Sequence, residues 1–132
     1  MTGSRKAVSK DLGRKPRPTE IRYLKSERVL HVAFDTGEKF CLSAEYLRVE
    51  SPSAEVQGHS PEQKVTVPGK RYVRIDEIEQ VGNYAIRIVF NDGHDTGLYS
   101  WHYLHELGSR FPERGKSYLN SIENQGLSRE LG

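Results

Sequence analysis

Residues 29–47, VLHVAFDTGEKFCLSAEYL, return as residues 85–104, AIRIVFNDGHDTGLYSWHYL. Leu30, Val32 and Phe34 recur 56 positions later as Ile86, Ile88 and Phe90, and Gly37 recurs as Gly93. Ser43, Tyr46 and Leu47 recur 57 positions later as Ser100, Tyr103 and Leu104, so one residue is inserted between the two sets. In each copy, apolar alternation predicts a strand with one buried face. The glycine then permits the positive φ of a tight hairpin, and the serine can cap a helix. One such unit has too little apolar surface to fold alone, so the two are expected to share a core. The predicted fold class is α+β: small antiparallel β-sheets from two related strand-turn-strand-helix units, with short helices and a C-terminal helix.

The flanking sequence completes the units. Glu20–Tyr23 reads as a first short strand after Pro16 and Pro18, and Tyr72–Ile78 as the strand opening the second unit, turning at Gly82-Asn83. Ala44–Leu47 is expected to be helical. A longer helix should follow Ser100, with Trp101, Leu104 and Leu107 at helical spacing and Gly108 as its end. Pro112 can start another helix over Glu113–Asn124, with Tyr118, Leu119 and Ile122 as a narrow apolar stripe, before a frayed end. Residues 51–69, rich in Ser, Pro, Gly, Gln and Glu, read as a long surface loop. The organisation predicted is a disordered basic tail over 1–18, a folded domain over 19–109, and a C-terminal helix with a frayed tail over 110–132.

A chain of 132 residues with 35% apolar and 29% charged content is of single-domain, globular composition. It holds no run of about 18 apolar residues of the kind that spans a membrane, and no apolar stretch of a secretory signal near its start. The single Cys41 excludes an internal disulfide and suits a reducing compartment, so a cytoplasmic location is expected. Net charge is only +2, but Arg5, Lys6, Lys10, Arg14, Lys15 and Arg17 face only Asp11 across the first residues. Such a segment could touch nucleic acid. Without aromatics to stack bases, it reads more simply as a solubilising tail.

The run from Val81 to Ile86, VGNYAI, followed by Asn91 to Leu104, NDGHDTGLYSWHYL, resembles the signature of the gamma-butyrobetaine hydroxylase-like N-terminal domain family. The resemblance covers residues 19–108, and bacterial members of that family are mostly small stand-alone proteins of unknown function. In the hydroxylase this domain resembles a zinc module with three Cys and one His as ligands, beside a catalytic domain that uses iron and 2-oxoglutarate. Here Ser51, Ser53 and Val56 stand where the three Cys would be, and only His94 matches. The resemblance therefore implies a lost zinc site, because one ligand cannot form a closed tetrahedral shell, and the chain is expected to fold without zinc. The same domain occurs attached to P-loop scaffolds of iron–sulfur clusters, which implies a helper role in cluster assembly. Cys41 alone cannot hold a cluster.

Several residues carry chemistry worth weighing. His94, beside Asp95, could bind metal, with Asp95 or His59 of the long loop as further ligands; the simpler reading is a hydrogen bond tying the turn to residues 51–56. His102 and His105 lie three apart on one helix face, more simply a solvated face beside Glu106 than a metal pair. Trp101, with His94, Tyr103 and His102, forms a candidate partner-binding surface, since amphipathic rings serve interfaces. Cys41 should point away from Phe40 and Leu42, and the sequence shows no neighbouring base to activate it.

Neither the nucleophile elbow, the Walker and dinucleotide glycine loops, nor the zinc-protease motif occurs. The expected function is thus a non-catalytic interaction or accessory module without a cofactor, linked by resemblance to iron–sulfur metabolism through an assembly-factor partner. Iron or another divalent ion at His94 is one alternative, and nucleic-acid contact through the tail another.

Overall fold

Each predicted hairpin pairs with the strand expected ahead of it to form a three-stranded sheet. The computed structural model describes residues 15–130. Strands β1 (Pro18–Leu24), β2 (Val29–Phe34) and β3 (Lys39–Ser43) form one antiparallel sheet in that order, and β4 (Ile75–Val81), β5 (Ala85–Phe90) and β6 (Leu98–Ser100) form the other. Helix α1 (Ala44–Val49) follows the first sheet, and α2 (Ala54–Gln57) and a 3-10 turn (Pro61–Gln63) lie in the connection. Helices α3 (Trp101–Ser109) and α4 (Phe111–Asn124) follow the second sheet. The expected α+β architecture of two related units is the one observed.

The repeat extends further than the sequence match. The first strand of each sheet has a register irregularity at the same place, between Pro18 and Glu20 and between Ile75 and Glu77. The Asp35 amide donates to Arg17 O at 2.9 Å, and the Asn91 amide to Arg74 O at 2.9 Å. Gly37 and Gly93 both have φ 93°, the left-handed turn conformation for which glycine was expected. Ser43 Oγ caps α1 by accepting from the Tyr46 amide, and Ser100 Oγ caps α3 by accepting from the Tyr103 amide.

The units interlock across an approximate two-fold axis. Tyr46 donates its hydroxyl to Leu107 O at 2.7 Å, and Tyr103 donates to Glu50 O at 2.6 Å. Because Tyr46 matches Tyr103 and Glu50 matches Leu107 in the repeat, these are one bond made twice in opposite directions. One core spans both sheets and helices, including Leu30, Val32, Phe34, Ile86, Ile88, Phe90 and Leu104. The inward residues of β2 and their repeat partners in β5 thus lie in the same core.

Several boundaries differ from expectation. β1 starts at Pro18, where an edge strand tolerates proline, so the strand takes in the last residue of the predicted tail; residues 1–14 of that tail lie outside the described residues. The second unit's first strand begins at Ile75 rather than Tyr72, because Val73 closes a turn onto Lys70 O. Gly108 does not end α3 but lies within it, where a Cβ would collide with the Phe40 ring. α4 starts at Phe111, and Leu119 is exposed while Tyr118 and Ile122 are buried. Beyond α4, Arg129 forms a bidentate pair with Glu45, both contacts at 2.7 Å.

Phe34 and Phe90 are buried to 3% and 1% exposure, so truncating either to Ala is expected to cost about 3–5 kcal/mol. Their outward neighbours His31 and Arg87 should tolerate Ala within about 0.5 kcal/mol, since the Arg87 pairs with Glu79 and Asp95 are solvated. Chemical denaturation of the four variants measures this, and a mild Phe90→Ala would contradict the register.

Candidate functional site

Of the surface loop that composition suggested over 51–69, residues 57–69 lie at the surface, but the first residues after α1 do not. Ser51 is 0% exposed, and Ser53 and Val56 are buried with it. Polarity misled here because the side chains satisfy one another. Ser53 caps α2 by accepting from the Glu55 amide, and Gln57 donates to Ser51 O at 2.8 Å.

Into this segment the second hairpin turn inserts His94, 8% exposed. Its Nε2 lies 2.8 Å from Ser51 Oγ and its Nδ1 3.1 Å from Glu55 Oε1. Ser51 Oγ also accepts from the Ser53 amide, so its hydroxyl proton is free to go to Nε2, which leaves Nδ1–H to donate to Glu55. Thr96 closes the ring, 2.8 Å from Ser53 Oγ and donating to Glu55 at 3.3 Å. Each group finds a partner, as buried polar groups must.

Ser51, His94 and Glu55 thus share the hydrogen-bond order of a nucleophile, base and orienting acid. Geometry denies them a substrate, however. A nucleophile needs room for a reacting carbon beside it and an oxyanion site, whereas Ser51 is fully enclosed and the Gly97 backbone abuts its hydroxyl. The cluster supplies hydrogen bonds rather than a reaction centre.

A zinc ion of the kind implied by the resemblance does not fit either. Two hydroxyls and the apolar Val56 occupy the ligand positions, and the His94 nitrogen facing them is engaged by Ser51. The alternative ligands are not gathered. Asp95 pairs with Arg87 at 3.1 Å, and the His59 amide is tied to Gln63 in the 3-10 turn. Among the described residues no group of three or more His, Cys, Asp and Glu side chains is placed to hold a metal.

Charge frames the cluster. Arg48 and Lys70 contact Asp92 at 2.8 and 2.7 Å. Burial alone would raise the Asp92 carboxyl, but Lys70, the His94 amide and Arg48 hold it down at about 2. For His94, burial and then Arg48 lower the imidazole pKa, outweighing Glu55 and Asp92. The neutral ring is therefore favoured in the folded state.

The expected partner surface divides in two. His94 faces inward, and Tyr103 is spent on Glu50 O, with burial pushing its hydroxyl up to about 12. His105 packs edge-on against Phe34 at 5.2 Å and contacts Glu38 at 2.6 Å, whereas His102 is 72% exposed, so the two do not act together. Trp101 donates its indole N–H to Asn83 O at 2.6 Å and lines two adjoining grooves. Beside it stands Tyr84, 58% exposed, which the sequence reading passed over although its place in a Gly-Asn-Tyr turn marks it for exposure. Cys41 is exposed as expected, but its cross-strand neighbour is His31, with 3.4 Å between Sγ and Nε2.

A histidine whose pKa is lowered by folding stabilises the protein above the unfolded value near 6.5 and loses that contribution as pH falls through the folded value. The urea midpoint should thus fall between about pH 7.5 and 5.5 more steeply in the wild type than in His94→Asn. Equal slopes would contradict the neutral, buried imidazole.

Comparison with known proteins agrees with this architecture. The family model described as gamma-butyrobetaine hydroxylase-like, N-terminal, matches residues 21–105. Two solution structures determined by NMR are similar, one with 44% identity and TM-score 0.77, covering 90% of this chain and 89% of that one, the other with 39% identity and TM-score 0.76, covering 89% and 92%. A crystal structure of a protein of unknown function from Acidithiobacillus ferrooxidans, assigned to the DUF971 family, has 40% identity and TM-score 0.58, covering 69% of this chain and 91% of that one. No curated protein matches. With the fold, the repeat and the matched segment in agreement, the chain belongs to the gamma-butyrobetaine hydroxylase-like N-terminal domain family, a domain of unknown function.

Proposed function

We propose that this protein is a non-catalytic interaction module whose contact face is centred on Trp101. The observation that carries the reading is the contrast between the two candidate sites. Around His94 the hydrogen-bonding groups are consumed internally, whereas around Trp101 a part-exposed indole, the exposed Tyr84 ring and His102 line open grooves. Aromatic groups in that setting serve as anchors for a partner. Of the surface expected from sequence, Trp101 and His102 remain in this reading, and His94 and Tyr103 become its internal supports.

The resemblance to domains attached to P-loop iron–sulfur scaffolds makes an assembly factor of the same reducing compartment the partner class to test first. Metal binding at His94 has less support, since both ring nitrogens already have partners. Nucleic-acid contact through the basic tail concerns residues that lie mostly outside those described.

Affinity capture from the native host, comparing wild type with Trp101→Ala, tests the reading. The variant should lose the specific partner while remaining folded, at a cost of about 1–2 kcal/mol for the core contacts and the Asn83 bond that the indole gives up. Unchanged capture by a folded variant would refute the placement of the face.

A further inference from the structure

We propose that the groove beside Trp101 receives an acidic, extended peptide segment, which adds as a fourth strand alongside β1. The inference rests on the reading of the domain as an interaction module and specifies its partner's chemistry.

Three features converge on it. First, among the described residues β1 is an edge strand, hydrogen-bonded to β2 on one side only. Five consecutive residues, Arg17 to Ile21, line the groove, so main chain and alternating side chains face it together. An unpaired strand edge is a template for an incoming strand. Pro16 and Pro18 carry no N–H, which sets the ladder after Pro18 and leaves the residues before it to side-chain contact.

Second, the facing wall offers apolar side chains, Ile78, Ile86 and Trp101, interspersed with the polar Gln80 and Asn83, and the indole is fixed by its bond to Asn83 O. Alternate residues of an added strand would pack on this wall, giving selectivity for an apolar-polar alternation.

Third, the charge of the outer groove is one-sided: among the described residues it is lined by Lys15, Arg17 and His102 and by no Asp or Glu. In the inner groove the lining carboxylate is Glu20, which lies 3.5 Å from Arg22. A partner with carboxylates at its polar positions is complementary to this rim and would be steered to it. A single nucleic-acid strand would share the charge but could not use the strand edge, which favours a peptide.

The test uses fluorescence anisotropy with the full chain and a labelled peptide, Asp-Val-Glu-Phe-Asp-Val-Glu. Controls are the same peptide with Lys at the acidic positions, a backbone N-methylated form, and an oligothymidylate. The acidic peptide should bind, weaken as salt rises from about 50 to 300 mM, and lose at least about tenfold affinity on Arg17→Glu, on Trp101→Ala and on N-methylation. No binding, equal binding of the Lys peptide, indifference to N-methylation, or tighter binding of the oligonucleotide would each overturn the proposal. If Trp101→Ala abolishes partner capture while Arg17→Glu leaves it intact and the peptide fails, strand addition falls and the module reading stands. Capture unaffected by Trp101→Ala removes both.

Discussion

The structure depends on one hydrogen bond made twice. Tyr46 and Tyr103 each reach across the axis between the units to the carbonyl at the end of the opposite helix. Neither unit can satisfy that carbonyl by itself, and a buried, unpaired carbonyl is costly. The tyrosines therefore bind the two halves of the repeat into one core. Arg48 and His105, matched positions on α1 and α3, add contacts of the same sense, each reaching the hairpin turn of the other unit at Asp92 and Glu38.

Against this symmetry, one place where the units differ in bulk explains the buried polar cluster. Phe40 packs its ring on Gly108. The matched positions are Gly97 and Ser51, where a small residue meets a small residue. Space filled by a phenyl ring in one unit is thus available in the other, and His94 enters it to meet Ser51 and Glu55. The same family position that would offer a metal ligand here braces the connection to α2. The proposed contact face lies elsewhere, at Trp101, whose repeat partner Ala44 is buried in the core.

Much of the architecture was legible because a repeat is a long-range statement. Matching Phe34 to Phe90 and Gly37 to Gly93 implied equivalent strands and turns, and both are found. The reach of the repeat into β1 and β4 was hidden, since those edge strands share only Glu20 with Glu77 and Ile21 with Ile78, and edge positions constrain side chains weakly. Residues 51–57 were misread for the opposite reason. Serine and glutamine signal solvent when isolated, but here each hydroxyl finds a partner 43 positions away, in Ser51 with His94 and Ser53 with Thr96. Gly108 was taken as a helix end by its residue type, whereas close packing against Phe40 is what demands it. The bond from His94 to residues 51–56 was expected from the sequence and is found, whereas the contact of Phe40 with Gly108 was not legible from local chemistry.

The central claim is that the reciprocal tyrosine bonds make the two units one cooperative structure. Native-state hydrogen exchange on Tyr46→Phe tests it most directly. Leaving Leu107 O unpaired should lower global stability by about 1–2 kcal/mol, and the slowest amides of β2 and β5 should lose protection by the same factor, roughly 5- to 30-fold. Loss confined to the first unit, with β5 amides keeping wild-type protection, would show that the units unfold separately and contradict the account.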